Sequence, residues 1–227
     1  MTDIQNAFAD PQMVAKYTEG PPRFVPGYNS MLSMAAILLA EHAHEDARIL
    51  ALGAGGGLEL NAFAQAQPGW RFDGVDPSAP MLDLAKQTLG PLASRAQLHE
   101  GYIDDAPAGP FDGATCLLTL HFVDVGERLR IASEIRRRLK PGAPFVAAHF
   151  SIPGDDDERP LWLSRYSAFL AASGVEPDKA AAARDAIDGQ LSILSPAQDE
   201  AILRDAGFSR PMLFYTGFTF RGWVAYA

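Results

Sequence analysis

Residues 49–57 read Ile-Leu-Ala-Leu-Gly-Ala-Gly-Gly-Gly and place an apolar strand directly before a glycine-rich loop. Glycine at positions 53, 55 and 57 permits positive φ angles and lets the backbone approach a ligand closely. Segment 58–67 then has a helical pattern, and its amide-rich N-terminus would face the same crevice. A dinucleotide fingerprint requires its third glycine at position 58, where the chain has Leu58. The spacing favours a loop that holds a nucleoside and an amino acid over one that holds a pyrophosphate. A purely structural strand-to-helix turn is the alternative.

An acid follows the second predicted strand. Asp76 comes 19 residues after Gly57, where a carboxylate can accept hydrogen bonds from ribose hydroxyls. The other interpretation is a helix N-cap within Asp-Pro-Ser. Both hold together if Ser78 is the N-cap and Asp76 faces the ligand. The glycine loop and Asp76 lie in one βαβ unit, and together they predict an adenosyl-binding site.

Around these motifs the chain alternates short apolar runs with amphipathic segments, which is typical of a parallel sheet with crossover helices. The predicted strands are 48–52, 71–75, 96–100, 113–119, 144–150, 211–215 and 220–226. The predicted helices between and after them are 58–67, 80–89, 126–139 and 196–206. We expect an α/β, Rossmann-like fold in a single domain, 1–227. Its sheet would be seven-stranded and mostly parallel, with helices on both faces and an antiparallel C-terminal strand.

Two segments lie outside this core. Residues 1–45 form a helical lead-in with a helix at 28–42. Residues 151–195 form a helical insertion that opens with an acidic loop at 154–158 and has helices at 161–173 and 177–188. An insertion after the fifth strand lies at the carboxyl edge of the sheet, so we expect it to roof a site there.

Composition excludes several classes of protein. The 227 residues suit one domain, and no apolar run reaches the roughly 18 residues of a membrane span. The N-terminus lacks a signal-peptide pattern, so we expect a cytoplasmic protein without membrane contact. The net charge of −9 argues against DNA binding by charge alone. The single cysteine, Cys116, excludes an internal disulfide and a thiolate zinc cluster, and the histidine spacings predict no metal.

Five stretches resemble the class I S-adenosylmethionine-dependent methyltransferases, in the family's order. They are 49–57, 74–78 with Met81, Phe111-Asp112, 139–142 and 206–208. The resemblance covers about residues 45–227. It implies the Rossmann-like class I methyltransferase fold, S-adenosylmethionine as cofactor, and methyl transfer to a small-molecule or RNA nucleoside acceptor.

A narrower resemblance is to the bacterial enzymes that carboxymethylate the wobble uridine of tRNA with carboxy-S-adenosylmethionine. It is carried by 23–28, 119–122 and 214–224, and it makes tRNA a candidate partner. By resemblance, Tyr28 contacts the cofactor's amino acid end, Asp76 and Pro77 the ribose and adenine edge, and Tyr102 and Ile103 the adenine. Arg184 falls where the cofactor's extra carboxylate would bind. The complete cofactor set is Tyr28, Gly53, Ala54, Gly55, Gly57, Asp76, Pro77, Met81, Tyr102, Ile103 and Leu117.

The chain departs from these families at three positions. Ala51 replaces the acid that normally helps to organise the methionine end, Tyr102 replaces an acid at the adenine, and Leu117 replaces an amide side chain. A non-catalytic protein that binds an adenosyl ligand is therefore an alternative. For Arg184, the alternative is a surface arginine paired with Asp188 at helical spacing. An NAD-dependent reductase is disfavoured by Leu58 and by the lack of a Tyr-x-x-x-Lys pair.

Methyl transfer from a sulfonium needs alignment and exclusion of water more than a particular side chain. An acceptor with a proton to lose would use a base, and His121 and His149 are the candidates at the carboxyl edge. For each, a structural hydrogen-bonding role is the alternative. Trp162, Tyr166 and Phe169 form one aromatic face of the insertion. Packing explains that face by default, and acceptor binding is a hypothesis. The apolar tail and lead-in are the candidate face of a homodimer.

Overall fold

The computed structural model describes residues 10–153 and 158–227. The predicted acidic loop lies outside these residues except for Glu158, as do the first nine residues of the lead-in. The strands are β1 (Arg48–Leu52), β2 (Arg71–Asp76), β3 (Ala96–Glu100), β4 (Gly113–Leu117), β5 (Pro144–Phe150), β6 (Ser209–Gly217) and β7 (Phe220–Tyr226). They form one sheet in the order β3-β2-β1-β4-β5-β7-β6. Six strands run parallel, and the C-terminal β7 is antiparallel to both of its neighbours. The predicted sheet is confirmed.

Helices cover both faces of the sheet. The lead-in contains α1 (Pro11–Ala15), a 3-10 turn (Tyr17–Glu19), α2 (Gly20–Phe24) and α3 (Tyr28–Ala40). The crossovers are α4 (Leu58–Ala66), α5 (Ala79–Leu89) and α6 (Val125–Arg137). The insertion is α7 (Glu158–Ala172) and α8 (Pro177–Gln190), and α9 (Pro196–Asp205) leads to β6. The insertion starts and ends at neighbouring points, because Ile152 N donates to Leu194 O at 3.0 Å.

The core has two layers because the central strands are apolar on both faces. In β1, Ile49 and Ala51 pack with the layer of α3 and α4, whereas Leu50 and Leu52 pack with the layer that contains α6 and α9. Strand β1 is thus the buried centre from which the glycine loop leaves.

One predicted strand is too long. The expectation of 113–119 is wrong at its end, because β4 stops at Leu117 and Leu118 has a φ of 59°, which a strand cannot hold. The chain turns there into a 3-10 helix, Leu120–Phe122. The other predicted bounds lie within three residues of the observed ones.

Two further observations concern membrane spans and a possible dimer face. Among residues 10–153 and 158–227, no helix has both the length and the apolar character that a membrane crossing needs. The edge strand β6 exposes Met212 and Leu213, so a dimer face on the tail stays a prediction.

Candidate active site

The glycine loop is fastened to the end of β2. Gly53 N and Ala54 N both donate to Val75 O, at 2.8 and 3.0 Å. Gly53 has a φ of 75°, and a Cβ built on it would lie 2.0 Å from Thr119 Oγ1. Glycine is required there by both conformation and space. The loop therefore crosses closely over the exits of β2 and β4.

Asp76 joins the loop to the next helix. Its Oδ2 accepts a hydrogen bond from Gly55 N at 2.9 Å, and its Oδ1 accepts one from Ser78 N at 2.9 Å. Ser78 is the N-cap of α5 and accepts from Met81 N, so the predicted N-cap is confirmed, and the role of Asp76 towards a ribose stays a prediction. Burial raises the pKa of the Asp76 carboxyl, although the two backbone hydrogen bonds act in the opposite direction. A partly buried carboxyl is thus held in place beside the loop.

The crevice between β1 and β4 is the topological switch point of the sheet, where ligands bind in open α/β folds. A cavity of about 20 Å³ lies there. Its lining is Tyr17, Tyr28, Gly53, Ala54, Gly56, Leu58, Glu59, Leu117 and Leu118. That volume holds about one water molecule, so the crevice is nearly closed.

Tyr17 closes it. A Cβ on Gly56 would lie 2.7 Å from Tyr17 Cδ1, so the ring packs directly on the loop backbone. Burial raises the pKa of the Tyr17 hydroxyl, and the nearby charges of Glu59 and Asp76 raise it further. Tyr17 was not among the residues expected from sequence. Sites for small ligands usually enclose about 300–1,000 Å³, so this crevice is smaller than such sites, and Tyr17 is one of the side chains that line it.

Tyr28, at the start of α3, lines the same cavity and is buried. Burial raises the pKa of its hydroxyl, and Tyr17 and Glu59 add to the effect. The structure therefore places Tyr28 beside the loop, and its contact with the cofactor's amino acid end stays a prediction.

Glu59, in the first turn of α4, is a site residue that sequence reasoning missed. It is 6% exposed, and Thr115 Oγ1 donates a 2.8 Å hydrogen bond to its Oε1. Burial raises the pKa of the Glu59 carboxyl to about 8; the Thr115 hydrogen bond opposes this and the charge of Asp76 adds to it. Glu59 shares the buried stripe of α4 with Leu60 and Phe63. An acid on an apolar stripe was the signal available in the sequence.

The remaining cofactor positions lie at the same edge of the sheet. Leu117 lines the cavity, and the methyl carbon of buried Met81 comes within 3.4 Å of a Cβ built on Gly55. The turn after β3 is tied to β2, since Gly101 N donates to Asp76 O at 3.1 Å. In or beside that turn, Ile103 is buried and Tyr102 is 63% exposed. Pro77 is exposed directly after Asp76.

The two candidate histidines are buried, and neither lines the cavity between β1 and β4. His121 is 4% exposed and accepts a hydrogen bond from Phe150 N at 3.3 Å. Burial lowers the pKa of its ring, and His149 and Arg128 lower it further. His149 is 3% exposed, with its Nε2 3.0 Å from Asp199 Oδ1 but outside hydrogen-bonding geometry. These contacts fit the structural alternative, and the role of general base stays a prediction.

The aromatic face of the insertion packs on the sheet. Tyr166 is buried edge-on against Phe150 and Phe220, with ring centroids 5.5 and 5.6 Å apart. Trp162 is partly buried, and the guanidinium carbon of Arg165 lies 4.7 Å from its ring centroid. Packing therefore accounts for these rings, and acceptor binding by Trp162 or Tyr166 stays a prediction.

Arg184 lies on α8 and its side chain is 39% exposed. The alternative interpretation paired Arg184 with Asp188, and the structure gives Arg184 a different partner. Arg184 pairs with Asp185 at 2.7 Å, because Asp188 is occupied by Arg159 at 2.6 Å. A role for Arg184 in carboxylate binding stays a prediction.

Comparisons with known proteins find similarity to methyltransferases and to carboxy-S-adenosyl-L-methionine synthases. Residues 49–142 match the family model described as a methyltransferase domain. The carboxy-S-adenosyl-L-methionine synthase of Aeromonas hydrophila is 27% identical over 220 residues, which are 95% of this chain and 88% of that protein. The synthase of Chromohalobacter salexigens is 26% identical over 230 residues, 98% of this chain and 84% of that protein.

Solved structures share the fold. Human N-acetylserotonin methyltransferase in complex with S-adenosylmethionine has a TM-score of 0.65 at 16% identity, covering 98% of this chain and 58% of that one. PigF with S-adenosylhomocysteine has a TM-score of 0.71 at 19% identity, covering 99% of this chain and 62% of that one. Residues 49–142 thus match a methyltransferase domain, and the chain has the fold of the class I S-adenosylmethionine-dependent methyltransferases.

Proposed function

We propose that this enzyme transfers a methyl group from S-adenosylmethionine to a small-molecule or RNA nucleoside acceptor at the carboxyl edge of β1, β2 and β4. The observation that carries the proposal is the Asp76–Gly55 hydrogen bond of 2.9 Å. It holds a carboxyl group and the glycine loop together at the switch point of the sheet. A ribosyl-methionine ligand presents the matching groups, since its ribose offers hydroxyl donors and its amino acid part needs a close backbone approach.

The residues present fit this cofactor. Asp76 would hold the ribose, the loop from Gly53 the methionine part beside Tyr28, and Ile103 with Tyr102 the adenine. When bound, the cofactor supplies a methyl group on a positively charged sulfur that is a good leaving group. The chain then has to orient the acceptor and exclude water, and the Tyr17 ring packs on the glycine loop beside this crevice. The acceptor would enter from the side of α7, where Trp162 and Tyr166 lie.

His121 and His149 remain the proposed bases for an acceptor that loses a proton. Replacement of His121 by glutamine should then slow turnover of a hydroxyl or amine acceptor, with unchanged affinity for S-adenosylhomocysteine. Equal turnover in His121→Gln and the wild type would leave the histidine with its structural role alone.

A second candidate concerns carboxy-S-adenosylmethionine, and the relatives favour it. Two proteins named as its synthases align over 95% and 98% of this chain. The enzyme would then make this carboxylated cofactor, or use it to carboxymethylate the wobble uridine of tRNA. Arg184 would bind the added carboxylate after its ion pair with Asp185 has broken. The third candidate, a binding protein without turnover, follows from the absence of an acid at Ala51.

Mass spectrometry of the ligand released from the purified protein separates these candidates. S-adenosylmethionine or its homocysteine product supports methyl transfer, and carboxy-S-adenosylmethionine supports the second candidate. In that case Arg184→Ala should lose carboxy-S-adenosylmethionine and still bind S-adenosylmethionine. The control variant Arg165→Ala should retain both ligands. Binding of S-adenosylhomocysteine without turnover over a broad acceptor panel supports the third. A chain that neither retains nor binds any adenosyl ligand contradicts all three.

A further inference from the structure

Glu59 is an acid that the chain's own contacts leave poorly compensated. It lies in the first turn of α4, is 6% exposed and lines the cavity between β1 and β4. The hydrogen bond from Thr115 engages one of its two carboxyl oxygens, Oε1. One hydroxyl does not replace the solvation that an ionised carboxylate loses on burial. The charged form of Glu59 therefore needs a positive partner inside the cavity.

Within residues 10–153 and 158–227, the groups around Glu59 do not supply that partner. They are Thr115 and Cys116 on β4, Asp76 at the end of β2, Tyr17 in the 3-10 turn and Tyr28 on α3. None of these groups carries a positive charge. With the pKa of Glu59 raised to about 8 by burial and by Asp76, the carboxyl holds its proton at neutral pH. The cavity thus contains a neutral acid that a cation can ionise.

We propose that Glu59 binds the α-ammonium group in the methionine part of S-adenosylmethionine and releases its proton to solvent when the ligand binds. This inference rests on the proposed function, because it requires an adenosyl-methionine ligand in the crevice. Asp76 fixes the ribose, so the methionine part extends along the loop towards Tyr28 and Glu59. A neutral carboxyl and an ammonium become a carboxylate–ammonium pair, and one proton leaves to buffer. Such charge-assisted hydrogen bonds are the strong ones in a desolvated site.

Strand β1 leaves room for this arrangement. Ala51 is the sheet neighbour of Thr115, and its small side chain belongs to the layer that α4 covers. The carboxyl of Glu59 reaches the strands at that point through Thr115. An acid from α4 therefore serves where the methyltransferase resemblance would put one on β1. Under this proposal Ala51 is no argument against cofactor binding.

Proton release tests the proposal on the wild-type protein. Calorimetric titration in two buffers of different ionisation enthalpy measures the protons released on binding. Binding of S-adenosylhomocysteine, which carries the ammonium group, should release up to about one proton from the protein at pH 7. 5′-Methylthioadenosine, which lacks the amino acid part, should release none. The affinity for S-adenosylhomocysteine should rise between about pH 6 and pH 8, by at most tenfold per pH unit. The affinity for 5′-methylthioadenosine should stay constant over the same range.

The matched variant is Glu59→Gln, since an amide keeps the shape and the acceptor for Thr115 but cannot ionise. It should weaken binding of S-adenosylhomocysteine by about 10- to 100-fold, abolish proton release, and bind 5′-methylthioadenosine as the wild type does. Glu200→Gln makes the same chemical replacement at a partly exposed site on α9 and should alter none of these. A thermal melt of Glu59→Gln shows whether it is folded; if it is not, the two-ligand pH series on the wild type decides.

The outcomes separate this inference from the proposed function. If S-adenosylhomocysteine binds the wild type without proton release, and equally well to Glu59→Gln, the role of Glu59 is overturned and the cofactor site stands. If neither adenosyl ligand binds the wild type, the proposed function fails first.

Discussion

At the scale of single residues, the proposed site contains one carboxyl group, that of Asp76, whose two oxygens accept backbone hydrogen bonds. Asp76 accepts one hydrogen bond from the glycine loop and one from the cap of α5, so its orientation is set before any ligand arrives. Preorganised acceptors lose little entropy on binding. We infer that Asp76 contributes affinity through placement as much as through charge.

Replacing Asp76 by asparagine tests this. The amide group must face either Gly55 N or Ser78 N, so a donor would meet a donor and the loop would be displaced. We expect the affinity for S-adenosylhomocysteine to fall by about tenfold or more, since a hydrogen bond to a charged group contributes about 1.5–3 kcal/mol. Calorimetric titration measures the affinity of both proteins for S-adenosylhomocysteine.

Asp112→Asn is the matched control. Asp112 also accepts a backbone hydrogen bond, from Arg48 N at 3.0 Å, but it lies just before β4, at the opposite edge of the sheet. This control should bind as the wild type does. Wild-type affinity in Asp76→Asn would show that the carboxyl is not a ligand contact.

At the scale of elements, segment 11–24 of the lead-in packs on the glycine loop through the Tyr17 ring. Helix α2 has no buried residue, and Met13 and Phe24 are 56% and 40% exposed. Arg23 Nη2 donates to Ser173 O and Gly174 O at 3.2 and 3.3 Å, which ties α2 to the end of α7. An element with few buried apolar contacts opens at low free energy. Segment 11–24 can therefore admit a ligand without unfolding the sheet.

Hydrogen exchange checks this opening. Amides in segment 11–24 should exchange faster than those of β1, and S-adenosylhomocysteine should change their rates. Replacing Tyr17 by alanine should raise the association rate of that ligand several-fold in stopped-flow measurements, because the ring no longer has to leave. Phe24→Ala removes an exposed ring from the same segment and should leave the rate unchanged. Equal association rates for Tyr17→Ala and the wild type would mean that Tyr17 does not block entry.

A buried ion pair fastens α9 to α6. Arg128 Nη1 lies 3.0 Å from Asp199 Oδ1, and both side chains are at most 2% exposed. Removing one partner leaves a buried charge, so Asp199→Ala should lower the free energy of unfolding by about 3–5 kcal/mol. Glu200→Ala, which breaks the exposed pair with Arg204 on the same helix, should cost at most about 1 kcal/mol. Urea denaturation measures both, and similar losses would show that the buried pair has no special role.

At the scale of the whole molecule, stability should depend on pH through Glu59. The folded chain keeps the Glu59 proton up to about pH 8, whereas the unfolded chain loses it near the ordinary value of 4.5. Between these values the folded state binds more protons, so the free energy of unfolding falls as pH rises. One proton gives at most about 1.4 kcal/mol per pH unit.

The comparison with Glu59→Gln isolates this effect. The wild type should lose stability relative to the variant between pH 5 and 8, in the absence of ligand, and the difference should level off above about pH 8. Urea denaturation at several pH values measures it. A constant difference across this range would show that the Glu59 carboxyl does not titrate in the folded protein.

The amino-acid sequence by itself determined the sheet, the glycine loop and Asp76. Strand and helix periods, the glycines at 53, 55 and 57, and the distance to Asp76 are local properties that can be counted along the chain. What they could not determine was burial and the meeting of distant segments. Thr115 reaches Glu59 across 56 positions, Tyr17 lies on a loop far from it in sequence, and His149 meets Asp199 only after α9 has docked. Whether an acid is charged, a ring covers a site or a histidine is accessible depends on the surrounding solvent and dielectric, and only the tertiary structure sets those.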